Sequence, residues 1–248
     1  MTDSPAPVRP DRRAEIAAGL AGVRSRIADA CAAAGRDPAE VTLIAVTKTY
    51  PAGDVVALAA LGVTDVGENR DQEAAPKAAE VAAAGADPCW HFVGQLQRNK
   101  AKSVVRYADV VHSVDSVRLA RALDAASVSG RDRPLDVLVQ VSIDADAARG
   151  GALPDTADPD AGLAAVAEAV AGGDGLRLAG LMAVAPLGWE PDRAFARLAE
   201  VAEAFRAVHP GATALSAGMS GDLETAIRYG ATHVRVGSAL LGMRPTLR

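Results

Sequence analysis

The sequence predicts an α/β fold, a (β/α)8 TIM barrel with an extra N-terminal helix, on three observations. Eight short β-branched runs alternate with longer Ala-rich stretches across 248 residues. No two runs are joined by a two-residue hairpin turn, so the strands read as parallel. No G-x-G-x-x-G follows the first run, where a doubly wound dinucleotide fold would carry one.

The eight runs are Val41–Thr47, Val63–Gly67, His91–Gly94, Val110–Ser113, Asp136–Ser142, Leu178–Ala183, Ala214–Ala217 and His233–Gly237. Helical patterns between and after them include Arg70–Ala84, Lys100–Tyr107, Ser116–Ala126, Leu163–Ala171, Asp192–Val208, Asp222–Tyr229 and Ala239–Gly242. The leading helix, Arg12–Ala34, carries Ile16, Leu20, Val23 and Ile27 at helical spacing. Residues 1–11 read as a flexible tail, and 1–248 as a single barrel domain without an internal boundary. Gly172–Gly175 reads as a helix-ending turn. The polar, turn-rich Gly150–Gly162 reads as a mobile βα loop.

Composition narrows the function classes. Half of the residues are hydrophobic, which suits a packed core, but only 3% are aromatic. A base-stacking platform for single-stranded nucleic acid needs exposed rings, and a phosphate-backbone binder needs positive charge. A net charge of −5 supplies neither, so no nucleic-acid partner is expected. Arg98, Lys100 and Lys102 read as a solvated helix face. Cys31 and Cys89 form no CxxC pair and no metal spacing with the four histidines; they read as small buried hydrophobes, and no metal is expected. The N-terminus lacks an apolar signal region, and no uninterrupted apolar run reaches membrane length. The expectation is a cytoplasmic, monomeric protein with no membrane partner.

In a (β/α)8 barrel, chemistry sits just after each strand, at the C-terminal rim. Lys48 follows the most apolar run. It reads either as a lysine reaching for solvent or as a partly desolvated amine with Schiff-base chemistry. After the seventh run comes Gly218-Met-Ser-Gly-Asp222, with Ser220 placed to cap the next helix. After the eighth comes Gly237-Ser238, with Ser238 placed to cap Ala239–Gly242. The loops after strands seven and eight form the usual phosphate corner of this fold. Asp222 and Glu224 would repel an anion there if turned toward it. Alternation in His233-Val-Arg-Val-Gly237 points Arg235 into the barrel, toward a carboxylate on another strand or toward a ligand acceptor. Lysine nucleophile, phosphate corner and inward arginine together suggest pyridoxal 5′-phosphate, with Arg235 donating to its pyridine nitrogen.

Several segments carry a family resemblance. They are Ile44-Ala-Val-Thr-Lys48-Thr, Gly67-Glu-Asn69, Trp90-His-Phe-Val-Gly-Gln-Leu-Gln-Arg-Asn-Lys100, Gly180-Leu-Met-Ala183, Leu215-Ser-Ala-Gly-Met-Ser220 and Val234-Arg-Val-Gly-Ser238. In order and across nearly the whole chain, they resemble the YggS/PROSC-type pyridoxal phosphate homeostasis proteins, whose fold is the alanine-racemase-like barrel. The resemblance implies that Lys48 is the cofactor lysine, that Ser220, Gly237 and Ser238 hold phosphate, and that Arg235 approaches the pyridine nitrogen. It further implies that Asn69, His91 and Met219 line the site. Two positions depart from the pattern: Arg70 stands where a Tyr is common, and Arg149 where a Lys often precedes Gly.

Three functions follow. A carrier would buffer pyridoxal phosphate on Lys48 and deliver it to apo-enzymes, with little turnover, as part of vitamin B6 homeostasis. An amino-acid racemase would use the same lysine but needs a second acid/base on the opposite cofactor face. A cofactor-free Schiff-base lyase or aldolase would need Lys48 and the phosphate corner but not Arg235. Only Tyr50, Tyr107 and Tyr229 are available as a racemase tyrosine, and none sits opposite Lys48 by strand order.

Overall fold

In the computed structural model, described over residues 10–146 and 149–242, eight parallel strands close into a barrel in chain order. They are β1 (Thr42–Val46), β2 (Asp65–Glu68), β3 (Cys89–Phe92), β4 (Val110–Val114), β5 (Leu135–Gln140), β6 (Leu176–Met182), β7 (Ala214–Ser216) and β8 (His233–Val236). β8 pairs with β1 and closes the ring, with Arg235 opposite Ile44. The helices are α1 (Pro10–Ala33), α2 (Ala52–Ala60), α3 (Asp71–Ala83), α4 (Ala101–Val104), α5 (Val117–Gly130), α6 (Leu163–Ala171), α7 (Pro191–Val208), α8 (Leu223–Arg228) and α9 (Ser238–Leu241). The predicted barrel and leading helix are therefore what the chain forms, and each predicted strand lies within two residues of its observed bounds.

The differences are local. Helix α2 was not singled out, because its nine residues lie between Pro51 and Leu61 and show no long apolar period. Where a helix is expected over Lys100–Tyr107, a 3-10 turn at Arg98–Lys100 leads into only four α-helical residues, Ala101–Val104. Gly150–Gly162 is not a free loop. The Ala152 N–H donates to Gln140 O at 2.7 Å, and Ser142 N–H donates to Ala152 O at 2.9 Å. The Val117 N–H donates to Asp160 O at 2.8 Å, so β5 and α5 both hold the segment. Residues 1–9, most of the expected tail, lie outside the described residues.

Helix α1 is buried along the predicted stripe, with Ile16, Leu20, Val23 and Ile27 packed against β1, β8, α8 and α9. Gly19 permits this closeness, since a Cβ there would lie 2.2 Å from Leu240 O. The outer faces of β3–β7 and the helices α4–α7 form a second apolar cluster around Phe92, Leu123, Leu135 and Phe195. Cys31 is buried in the α1 cluster, as expected of a small hydrophobe, whereas Cys89 is only half-buried. Among the described residues, no helix is long and apolar enough to cross a membrane.

Candidate functional site

At the end of β1, Thr47 is buried and Lys48 emerges into solvent. The turn is held from below. Thr47 Oγ1 donates to Glu68 Oε1 at 2.7 Å, and Lys77 of α3 donates to the same oxygen at 2.6 Å and to Thr47 O at 2.9 Å. Lys77 also pairs with Glu73 at 3.2 Å, and Glu73 accepts the N–H of Thr49. Thr49 takes a left-handed φ of 71°, costly for a β-branched residue and sustained by that bond. Of the two readings of Lys48, the structure shows the solvent-reaching one: its side chain is exposed, and the lysine withdrawn from water is Lys77, 5% exposed. Burial also raises Glu68 above the ordinary carboxylate value, against the opposing pull of Lys77. Sequence spacing did not reveal the Glu68–Lys77 pair, because it joins a strand end to the middle of the following helix.

The corner expected to hold phosphate is built from the loops after β7 and β8. Ser238 Oγ lies 3.3 Å from Ser220 Oγ, and the Ala239 N–H donates to Ser220 Oγ at 3.4 Å. The capping roles differ from those expected. Asp222 precedes α8 as its N-cap, and Gly237 precedes α9, so Ser220 and Ser238 are left as convergent hydroxyls rather than side-chain caps. Gly218 has a φ of 88° and admits no Cβ, which would meet Ala226 Cβ at 2.6 Å. The nearby acids are already engaged. Asp222 Oδ1 accepts the Met219 N–H at 2.6 Å, and Glu224 pairs with Arg26 of α1 at 2.6 Å. Arg26 also donates to Ser220 O at 3.0 Å, bracing the corner from outside the barrel.

Arg235 points into the barrel and is 5% exposed. Among the described residues it has no carboxylate partner in hydrogen-bond contact. Its Nη1 donates to Ser216 Oγ at 2.6 Å and its Nη2 to Ala183 O at 2.9 Å. Burial lowers it to about 10, with Asp222 pulling the other way. Below it, His112 Nδ1 lies 3.0 Å from Ser216 Oγ, His112 Nε2 lies 2.8 Å from His91 Nδ1, and His91 Nε2 lies 2.8 Å from Asp65 Oδ1.

Lys48, Ser220, Gly237, Ser238 and Arg235 all follow or end strands β1, β7 and β8, which are neighbours in the ring. Asn69 follows β2 on the other side of β1. Its Oδ1 is buried without a hydrogen-bond partner, and Gly94 approaches so closely that a Cβ there would lie 2.1 Å from Asn69 O. Met219 is 40% exposed at the phosphate corner. His91 stands apart from these, inside the barrel, with both ring nitrogens engaged by protein groups. Arg70 is exposed at the start of α3, and Arg149 ties Asp144 to the carbonyls of Val184 and Ala185 across the β5 and β6 loops. Donor atoms of Asp65, Cys89 and His91 lie within 4.8 Å of one another, a grouping the sequence did not disclose; Asp65 and His91 already satisfy each other there.

The interior histidines predict an acid-sensitive fold. Burial lowers His112 well below its ordinary value, and lowers His233 from 6.5 to about 4. Between those values the unfolded chain binds protons that the native barrel does not, so stability falls as pH drops through that window. Each neutral histidine is expected to remove about 2 kcal/mol between pH 7 and pH 5, read by urea unfolding. Stability that stays level across that range would contradict their neutral burial.

Against known proteins, the alanine racemase, N-terminal domain family matches residues 20–245. A pyridoxal phosphate homeostasis protein of Mycobacterium tuberculosis is 48% identical over 248 residues, covering 95% of each chain. One from Escherichia coli K12 is 38% identical over 236 residues, covering 93% of this chain and 97% of the relative. Among solved structures, PipY of Synechococcus elongatus with PLP bound superposes with a TM-score of 0.73 at 35% identity, covering 92% of this chain and all of that one. Alanine racemase from Corynebacterium glutamicum shares the fold alone, with a TM-score of 0.65 at 17% identity. The chain belongs to the pyridoxal phosphate homeostasis protein family, within the alanine-racemase-like barrels.

Proposed function

We propose that this chain binds pyridoxal 5′-phosphate through Lys48 and buffers and delivers it, with little or no turnover of its own. The observation that carries the reading is an exposed amine at the end of β1 together with a deeply buried arginine on the neighbouring β8 that has no carboxylate partner among the described residues. The residues fit the group. The Ser220 and Ser238 hydroxyls converge beside the start of α9, suiting a phosphate, and Gly237 sits so close to Val46 that a Cβ would lie 3.3 Å from its carbonyl oxygen. Pyridoxal phosphate supplies an aldehyde that condenses with an amine, and a ring that can serve as an electron sink. In this reading Lys48 holds the aldehyde end, and Ser220, Gly237 and Ser238 take the phosphate. Asn69 and Met219 line the mouth.

Arg235 would donate to the pyridine nitrogen and keep it unprotonated, which weakens the electron sink and favours storage over carbanion chemistry. PipY, crystallised with PLP bound, and the names of the homeostasis relatives support the same reading. The tyrosines argue against a racemase. Tyr50 OH donates to Gly242 O at 2.6 Å, Tyr229 OH reaches Asp192 at 3.1 Å, and Tyr107 packs edge-on against Trp90. Recipients in this proposal are apo-enzymes of the cytoplasm.

Loaded protein, freed of excess cofactor, is expected to restore activity to an apo pyridoxal phosphate enzyme and to racemise no amino acid in a panel. Robust racemisation, or failure to restore the apo-enzyme, would overturn the carrier reading.

A further inference from the structure

The polar groups inside the barrel form one unbroken line from its N-terminal end to its rim. Asp65 opens β2, His91 lies on β3, His112 on β4, Ser216 ends β7 and Arg235 lies on β8. Successive contacts are 2.8, 2.8, 3.0 and 2.6 Å. His91, His112, Ser216 and Arg235 are all buried, and Asp65 is half-buried. A histidine pair in a barrel interior needs a reason, because apolar residues would fill the same volume without desolvation cost.

With one proton on each ring, the acceptor-only carboxylate at one end and the donor-only guanidinium at the other order the protons between them. Arginine only donates, so Ser216 Oγ must accept from Nη1 and turn its own proton elsewhere. The neighbouring acceptor is His112 Nδ1. His112 then carries its proton on Nε2 and donates it to His91 Nδ1. His91 in turn carries its proton on Nε2 and donates it to Asp65, a carboxylate that only accepts. In this arrangement each ring carries a proton on Nε2 and accepts at Nδ1, and all four bonds point the same way. The chain links a buried cation at the rim to an anion at the far end, and aligned bonds polarise one another in a low-dielectric interior.

We propose that Asp65, His91 and His112 are positioning residues for Arg235, acting through Ser216 as a directional hydrogen-bond chain that aims the guanidinium at the barrel mouth. A proton added to His112 would turn Nδ1 into a donor toward the second lone pair of Ser216 Oγ, breaking the Ser216 O–H···Nδ1 bond and with it the one-way direction of the chain. The groups facing the two rings are Asp65, Cys89, His233 and Arg235, and burial keeps His112 neutral. The step from a fixed Arg235 to the cofactor ring rests on the function proposed above, whereas the tautomers and the direction of the chain do not.

The test has two arms. In cofactor-free protein, 15N-detected imidazole spectra are expected to show His91 and His112 as single neutral Nε2–H tautomers. Asp65→Asn is expected to release both rings from that tautomer, because an amide can donate as well as accept. Ser216→Ala leaves the carboxylate end intact and is expected to shift the His112 Nδ1 resonance by removing its hydrogen-bond donor, while Nε2 keeps its proton. A protonated His112, or imidazole spectra unchanged in both variants, would overturn the chain. In pyridoxal phosphate-loaded protein, Asp65→Asn is expected to shift the pH midpoint of the visible absorbance by on the order of one unit while retaining the bound cofactor. An unmoved midpoint with altered tautomers would overturn the positioning role. Wild-type protein that takes up no cofactor would instead overturn the function on which the second arm rests, with the imidazole spectra still testing the chain. Ser216→Ala removes one oxygen only, so it keeps the chain testable if Asp65→Asn fails to fold.

Discussion

Lys48→Ala is expected to reduce the retained visible absorbance of pyridoxal phosphate-treated protein to background. The proposal routes covalent retention through this one amine, and Arg235, Ser220 and Ser238 would then hold the cofactor only by reversible contacts. Because Lys48 is exposed, thermal stability is expected to change by no more than about 0.5 kcal/mol. The two readouts therefore separate, and a variant that keeps its absorbance while folding normally refutes the lysine assignment. Lys48→Arg makes a sharper control, since it keeps the positive charge and removes the primary amine.

Lys77→Met is expected to do the opposite, damaging the fold first. Lys77 neutralises Glu68, which is 0% exposed, and also bonds Thr47 O. Removing one partner of a buried pair leaves an uncompensated charge, at a cost of about 3–5 kcal/mol in urea unfolding. Glu68 Oε2 has no hydrogen-bond partner even with Lys77 in place, so little remains to absorb that loss. The double variant Lys77→Met/Glu68→Leu is expected to recover more than half of the stability, since a matched apolar pair has no charge to strand. It is still expected to weaken cofactor retention, because Lys77 no longer fixes the carbonyl next to Lys48. Full retention in the double variant would show that the turn needs no support from below.

The contrast between these two lysines marks what the sequence made legible. Strand alternation placed Arg235 inside the barrel, and the position of Lys48 after β1 placed it on the rim, because both follow from local periodicity and chain order. The same local reasoning left the exposure of Lys48 open and gave no sign of the buried Lys77. Whether a lysine is buried depends on which neighbours close over it, and Glu68 and Thr47 reach Lys77 from strands packed against α3. Ser220 and Ser238 were located correctly at adjacent corners but were expected as caps, since a one-residue shift in a helix start is invisible to pattern. The acids flanking the corner raised a conflict that only tertiary structure resolves, because Arg26 on the leading helix draws Glu224 away. The interior chain was hidden for a related reason. His91 and His112 stand in short apolar runs where a satisfied core histidine and a site histidine look alike, and the partner Ser216 lies 104 residues from His112.

Borohydride reduction of pyridoxal phosphate-loaded wild-type protein, followed by peptide mapping, locates the covalent attachment. A single pyridoxyl adduct is expected, on the peptide that contains Lys48. An adduct carried mainly by another lysine, such as the exposed Lys102 or the partly buried Lys100, or no adduct at all, would refute the Lys48 assignment.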